Sequence, residues 1–592
     1  MATVVDITVE VCGMAGDGAI AAGALINEAL SRGGFSVLGF DSYPAEIRGF
    51  GRCVTRSRIG SEEIVAMGAE THVLISLNEA EARSRIPFLA HRAMVIFESN
   101  PPTYVHHDSS FVAELPPDKL LFGMPLSDLA SEATGATRGR NLTALGGFAA
   151  VCGINPALFI EVIEKKFKSK GEKVLHTNVK SFEAGYAYAA KEYSEKREHA
   201  FQFPELLRQD GKVMLSGNQA IGMAALDAGL KLYFGYPITP ATPIMEFLAA
   251  ALPKKGGRVV QMEDEIASIG AVLGSFYAGA RSMTATSGPG FALMTELITH
   301  GVMAEIPAVI VNAQRGGPAT GLPTKTEQSD LHAAVFGGPG DSARIVIAPT
   351  NVSECYHYTV KSFQLAEKYQ TPVIVLTDFY LDNRVENVVI PRASEVETRN
   401  GNVFPSASEK GNYKRYCLTE SGISPRALPG MEGYIFTATG LEHTEKGSPD
   451  YSPEIHTLMT EKRHKKIASA LADLPEPEVY FGDDRLDVGV IGWGSTFGSV
   501  LEATRTSRKK GLRVAALKIT SLSPLHTTII QGFMERCSHV LVPELNYEGQ
   551  LANLIGHLHH RPVVRLNLVT GTPFPPSMII QKIEDLIHGE AA

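Results

Sequence analysis

The chain has 592 residues, of which 44% are hydrophobic and 20% charged, with a formal net charge of −9. At about 150 residues per domain this length implies three or four domains, and the acidic balance argues against nucleic-acid binding. No run of about 18 apolar residues marks a membrane span, and the opening Met1-Ala2-Thr3-Val4 lacks the basic start of a signal peptide, so a cytoplasmic protein is expected.

Residues 4–11 alternate β-branched residues and predict a strand. A glycine-rich turn, 13–18, then leads into a helix over 19–31, and a second strand over 35–40 ends at Asp41. This is the pattern of a βαβ opening, and such a loop can hold a phosphate on free backbone N–H groups. The glycines fall as G-x-x-G-x-G, which speaks against a dinucleotide, although Asp41 stands where a ribose-binding acid would. Gly16-Asp17-Gly18 imitates the G-D-G of a thiamine diphosphate site. No Asn follows at 41–50, where that site's magnesium ligand would fall, so the triplet reads as a turn.

The segment 43–51 predicts a loop from which Arg48 and Arg52 project positive charge, either to a ligand or to solvent. Strands are expected at 73–77 and 94–97. Asn141 is the expected N-cap of a buried helix. A last helix runs to about residue 196 and ends in a charged stretch, 191–199, read as a solvated linker with a domain boundary at 195–210.

From Val213 a second α/β rhythm begins, with a capped helix over 215–229 and short strands at 232–235, 259–262, 281–285, 308–312 and 373–376. Each strand ends in a loop of Gly, Pro, Thr or acidic residues, as where the strands of a doubly wound parallel sheet meet their ligands. Those loops are Tyr236-Pro237-Ile238-Thr239-Pro240, Glu263-Asp264-Glu265, Ser287-Gly288-Pro289-Gly290 and the run from Arg315 to Thr324. The rhythm is lost over 385–480, where a basic helix spans 461–466, and a third α/β unit starts at Leu486.

Glu265 falls on the first turn of an otherwise apolar helix, where desolvation favours a protonated, hydrogen-bonding carboxyl. Such a group can share a proton with N1′ of the aminopyrimidine of thiamine and so promote loss of the thiazolium C2 proton. Equally, residues 263–265 fit acids favoured at a helix N-terminus by the macrodipole. Arg315 precedes Gly-Gly-Pro, and its planar fork suits a carboxylate. Thr239, Thr320 and Thr324 are hydroxyl donors or simple turn residues. The six cysteines stand far apart without a C-x-x-C pair, the pattern of reduced thiols and not of a local iron–sulfur or zinc site.

Taken together, Tyr236–Pro240, the segment Met262–Ala271, Thr286–Gly290 and Arg315–Thr324 closely resemble the α subunit of 2-oxoacid:ferredoxin oxidoreductases, above all the 2-oxoglutarate enzymes with a γ domain fused ahead of α. The resemblance implies three α/β domains: a γ-type domain over 1–195, a doubly wound pyrimidine-binding domain for thiamine diphosphate over 210–390, and a transketolase C-terminal-like domain over 484–592. Residues 391–483 connect the last two.

It further implies that Glu265 activates the cofactor, with Tyr236, Pro237 and Ile238 beside it. Thr239, Arg315, Thr320 and Thr324 would hold the 2-oxoacid, and Arg48 would meet the far end of a dicarboxylate such as 2-oxoglutarate. The implied reaction is oxidative decarboxylation to succinyl-CoA with coenzyme A as co-substrate and ferredoxin as acceptor; its reverse fixes CO2. A β subunit would supply Mg2+, the diphosphate site of thiamine diphosphate and a [4Fe–4S] cluster, in an (αβ)2 heterotetramer. The alternatives are an enzyme of the same family for pyruvate, branched-chain or aryl 2-oxoacids, and a non-catalytic nucleotide-binding or scaffolding subunit.

Overall fold

The alternation of apolar runs with small-residue helices is realised, in a computed structural model, as three β-sheets with helices packed on them. The structure describes residues 5–42, 51–100, 110–209, 211–391 and 401–589. The chain divides into two units, Met1–Leu215 with Arg384–Ile390, and Ser216–Asn383 with Pro391–Ala592. Among the described residues no helix is long and apolar enough to cross a membrane.

The first unit is built on an eight-stranded sheet in the order 120–124, 89–98, 71–76, 6–14, 52–60, 36–42, 385–389, 212–216. The four expected strands appear as Asp6–Met14, Ser36–Ser42, Thr71–Ser76 and Leu89–Glu98, and the first helix as Ala19–Arg32. The opening is nevertheless not a simple βαβ unit. Arg52–Gly60 lies between the first two strands and pairs antiparallel with both. Its arginines hide it in the sequence: Arg58 grips Asp6 at 2.6 Å and Arg56 meets the wholly buried Glu10 at 3.0 Å. Cross-strand ion pairs thus stand where an apolar alternation would have announced a strand.

Asn141 does not cap its helix. Gly139, at the end of a short 3-10 turn, is the N-cap of Arg140–Val151, so Asn141 is already helical. Its amide donates instead to the Gly18 carbonyl at 3.3 Å. The glycine turn before the first helix is closed by its own acid: Asp17 accepts the Met14 N–H at 2.8 Å and pairs with Arg140 at 2.7 Å. The charged end at 191–199 docks as well as dissolves. The Tyr193 hydroxyl donates to the Gly123 carbonyl, and Lys196 Nζ to that of Leu121 at 2.7 Å.

The second unit holds a seven-stranded sheet in the order 521–523, 345–347, 372–378, 308–314, 282–286, 232–235, 258–261. All neighbours in it run parallel except the edge strand Ser521–Ser523. Ala308–Gln314 and Pro372–Asp378 are buried at every position, as expected of parallel strands covered on both faces. A five-stranded sheet follows, ordered 478–480, 514–518, 486–492, 537–544, 564–567.

The basic helix, Pro453–Ser469, turns three of its cations inward: Lys462 and Lys466 both reach Glu305, at 2.6 and 2.7 Å, and Arg463 pairs with Glu442 at 2.9 Å. Where the rhythm is lost, the helix Pro453–Ser469 is thus held by buried charge, which no apolar repeat encodes.

Candidate active site

Because strands 232–235, 258–261, 282–286 and 308–314 run parallel, their carboxyl ends and following loops open at one edge of the sheet. Four of the loops singled out in the sequence meet there. The first, 236–240, is fixed from beneath by Asn218, whose Nδ2 donates to the Pro240 carbonyl at 3.1 Å. Tyr236 and Pro237 are exposed on its lip, while Ile238 and Thr239 are half-buried.

At the second loop the three acids separate into different roles. Asp264 is the N-cap of Glu265–Tyr277 and accepts the Ala267 N–H at 2.8 Å. Glu263 is exposed, whereas Glu265 is 6% exposed. The Glu265 carboxyl receives one hydrogen bond among the described residues, from Thr286 Oγ1 at 3.4 Å, near the limit of a useful bond. Gly290 explains how the acid fits. A Cβ there would overlap both Glu265 Oε1 and Thr286 Oγ1, so only glycine lets the helix Gly288–Met303 start against this carboxyl.

At the fourth loop Arg315 is 7% exposed and donates from Nη1 to the Thr239 carbonyl at 2.6 Å. Its Nε has no partner among the described residues, and neither do the buried hydroxyls of Thr324 and Ser287. Burial pushes the Arg315 guanidinium below its ordinary value, and Asp330 opposes that shift. Burial likewise raises Asp330, which accepts from Asn312 at 3.2 Å, and raises Glu327, which accepts the Gly317 N–H at 3.3 Å. Thr320 sits exposed further along this loop. The two clusters are continuous through the sheet, since Thr286 is in register with Asn312. Arg48 lies outside the described residues.

The arrangement combines an under-bonded buried carboxyl with a half-committed buried guanidinium and a hydroxyl in need of an acceptor. Buried polar atoms ordinarily find partners, so open valences gathered at one sheet edge mark a place where a ligand completes the bonding. Glu265 suits a ring nitrogen that shares a proton. Arg315 Nε and Thr324 suit an anion, so the residues present fit both a thiamine pyrimidine and a carboxylate. Ser287, Asn312, Glu327 and Asp330 also belong to this interior. Ser287 lay within one of the strand-end loops singled out in the sequence, but was given no role of its own there. Asp330 carried no local signal, because its place depends on the chain folding back over strand 308–314.

Residues 223–462 match the family described as pyruvate flavodoxin/ferredoxin oxidoreductase, thiamine diphosphate-binding, and residues 8–188 match pyruvate ferredoxin/flavodoxin oxidoreductase. The chain is 38% identical over 371 residues to 2-oxoglutarate synthase subunit KorA of Methanothermobacter thermautotrophicus, covering 60% of this chain and 97% of that protein. It is 31% identical over 618 residues to 2-oxoglutarate oxidoreductase subunit KorA of Mycobacterium tuberculosis, covering 99% and 92% respectively. Its fold matches 2-oxoglutarate:ferredoxin oxidoreductase from Magnetococcus marinus with a TM-score of 0.93 at 38% identity, over 98% of this chain and 99% of that one. That protein was solved with 2-oxoglutarate, coenzyme A and succinyl-CoA bound.

Proposed function

The chain belongs to the 2-oxoacid:ferredoxin oxidoreductase family as an α subunit, and from that premise we propose that it acts on 2-oxoglutarate, interconverting it with succinyl-CoA. In the oxidative direction 2-oxoglutarate and coenzyme A give succinyl-CoA and CO2, and two electrons pass singly to oxidised ferredoxin. The observation that carries the reading is the pairing, at one sheet edge, of a buried, under-bonded Glu265 with a buried Arg315 whose Nε has no partner among the described residues.

Bound thiamine diphosphate supplies a nucleophilic carbon and an electron sink for decarboxylation. The chain's own part is to hold and to move protons. Glu265, with one carboxyl oxygen left open, would share a proton with the pyrimidine ring. Tyr236 and Pro237 on the lip, with the half-buried Ile238, would border that ring.

Arg315, with Nη1 committed to Thr239, directs Nε to the 2-oxoacid carboxylate, and the Thr324 hydroxyl adds a second donor. Thr239 and Thr320 shape the space for the rest of the substrate. Arg48 answers the distal carboxylate, which distinguishes a dicarboxylate from pyruvate. Mg2+, the diphosphate site and a [4Fe–4S] cluster belong to a β subunit, and the working particle is an (αβ)2 heterotetramer of the cytoplasm.

The deciding experiment is co-expression with an iron–sulfur β subunit, followed by viologen reduction with 2-oxoglutarate, pyruvate and longer 2-oxoacids, each with and without coenzyme A. Coenzyme A-dependent reduction with 2-oxoglutarate preferred, and that preference lost in Arg48→Ala, is the expected result. Preference for pyruvate, or an Arg48→Ala variant indifferent to the substrate, overturns the choice of 2-oxoglutarate.

A further inference from the structure

The loop that carries Arg315 and Thr324 is closed at its neck, where the Gly316 N–H donates to the Lys325 carbonyl at 3.0 Å and the Leu322 N–H to that of Gly316 at 2.8 Å. The stem beyond the neck, 326–332, is fastened by the ends of three strands of the five-stranded sheet. After strand Val564–Asn567, Gly571 accepts the Thr326 N–H at 3.3 Å. After Cys537–Glu544, Leu545 accepts the Gln328 N–H at 2.7 Å, and Asn546 donates to the Gln328 carbonyl at 3.0 Å. Following Leu486–Gly492, the carbonyl of Trp493 accepts from Gln328 Nε2 at 3.4 Å and Thr496 donates to Gln328 Oε1 at 2.6 Å.

Gln328 is wholly buried, and its Nε2 also reaches Asp378 Oδ2 at 3.3 Å, at the end of a strand of the seven-stranded sheet. One side chain therefore ties the stem to both sheets. A buried amide with donors and acceptors all engaged fixes its backbone far more tightly than apolar packing does, because each lost bond leaves a desolvated polar atom.

We propose that Gln328 is a positioning residue for 2-oxoacid binding: by locking the stem it sets the register of the loop and hence the aim of Arg315 and Thr324. The C-terminal sheet thereby governs substrate affinity from outside the substrate's reach. This rests on the assignment of Arg315 and Thr324 to the substrate. Weakening a hydrogen bond to a charged group costs about 10- to 100-fold in affinity, so a slack stem shows in KM.

The test uses the co-expressed holoenzyme and the variants Gln328→Ala, Gln328→Glu and the pair Q328E/D378N, in which the new amide at 378 donates to the new carboxylate at 328. Gln328→Ala and Gln328→Glu are expected to raise KM for the preferred 2-oxoacid about 10- to 100-fold. Their kcat should stay within about threefold and KM for coenzyme A should not move, and the pair should recover part of the loss.

Hydrogen exchange gives a readout independent of activity. The N–H groups of Gly316, Leu322, Thr326 and Gln328 should lose protection in Gln328→Ala. An unchanged KM with unchanged protection overturns the proposal, and so does a parallel loss of kcat, both KM values and thermal stability. Should the wild type oxidise no 2-oxoacid, the functional assignment falls, and the exchange data alone decide whether Gln328 holds the loop.

Discussion

Glu265 and Glu305 are almost equally removed from water, at 6% and 1% exposure, yet their surroundings are opposite. Glu305 is met by Lys462 and Lys466 at 2.6 and 2.7 Å, with Arg415 donating to its carbonyl at 2.7 Å. Burial acts to raise its carboxyl, but Lys462 and Lys466, aided by Arg415, hold it well below the usual range. Glu265 has one long hydrogen bond and no cation at its carboxyl among the described residues. Burial by itself therefore does not identify a reactive acid. What separates the two is whether the surrounding structure has already satisfied the oxygens.

The strongest test of this contrast is Glu265→Gln in the holoenzyme. Turnover should fall by about 10²- to 10⁴-fold, the usual contribution of a positioned proton carrier, while thermal stability stays at the wild-type value. A variant retaining full turnover would remove Glu265 from the chemistry. The mirror experiment is Glu305→Gln, which strands two buried ammonium groups and should cost about 3–5 kcal/mol in urea unfolding. The folded fraction should keep its activity per molecule. Replacing Glu305, Lys462 and Lys466 together by apolar residues of similar volume should restore most of that loss, since a buried ion cluster is often no more stable than good packing.

Arg315→Lys comes next. It keeps the charge but loses the fork that serves Thr239 and a carboxylate at once, so kcat/KM for the 2-oxoacid should fall about 10- to 100-fold with little change for coenzyme A. The smallest effect concerns acid stability. Burial works to raise the Glu442 carboxyl, but Arg463 and His456 hold it down to about 2. A depressed carboxyl contributes stability that is complete above its unfolded value of about 4.3 and is lost as the pH falls through the folded one. Stability should therefore decline between about pH 4.5 and 2, with a shallower slope in Glu442→Gln. Equal slopes in the two proteins would show that the pair with Arg463 contributes nothing.

The comparison also separates what local pattern carries from what it cannot. The helix over Ala19–Arg32, the buried parallel strands and a capped helix within 215–229 were legible, because hydrophobic periodicity and capping act within a few residues. Strand Arg52–Gly60 was hidden, because its arginines make sense only opposite Asp6 and Glu10 on another strand. Asn141 looked like a cap, but a neighbouring glycine turn had taken that position. The basic run at 461–466 gave no hint that Lys462 and Lys466 would point inward, since their partner lies more than 150 residues away in the chain.

By itself the sequence determined the α/β character, the loop motifs at the strand ends and the candidacy of Glu265 and Arg315, all of which follow from short-range periodicity and residue chemistry. Only the tertiary structure decided that Glu265 is left with one long hydrogen bond, that Gly290 makes room for it, and that Gln328 ties the Arg315 loop to two sheets. The physical reason is range. Caps, turns and amphipathic faces are settled by near neighbours, whereas whether a buried polar atom is satisfied depends on segments tens to more than two hundred residues apart coming together.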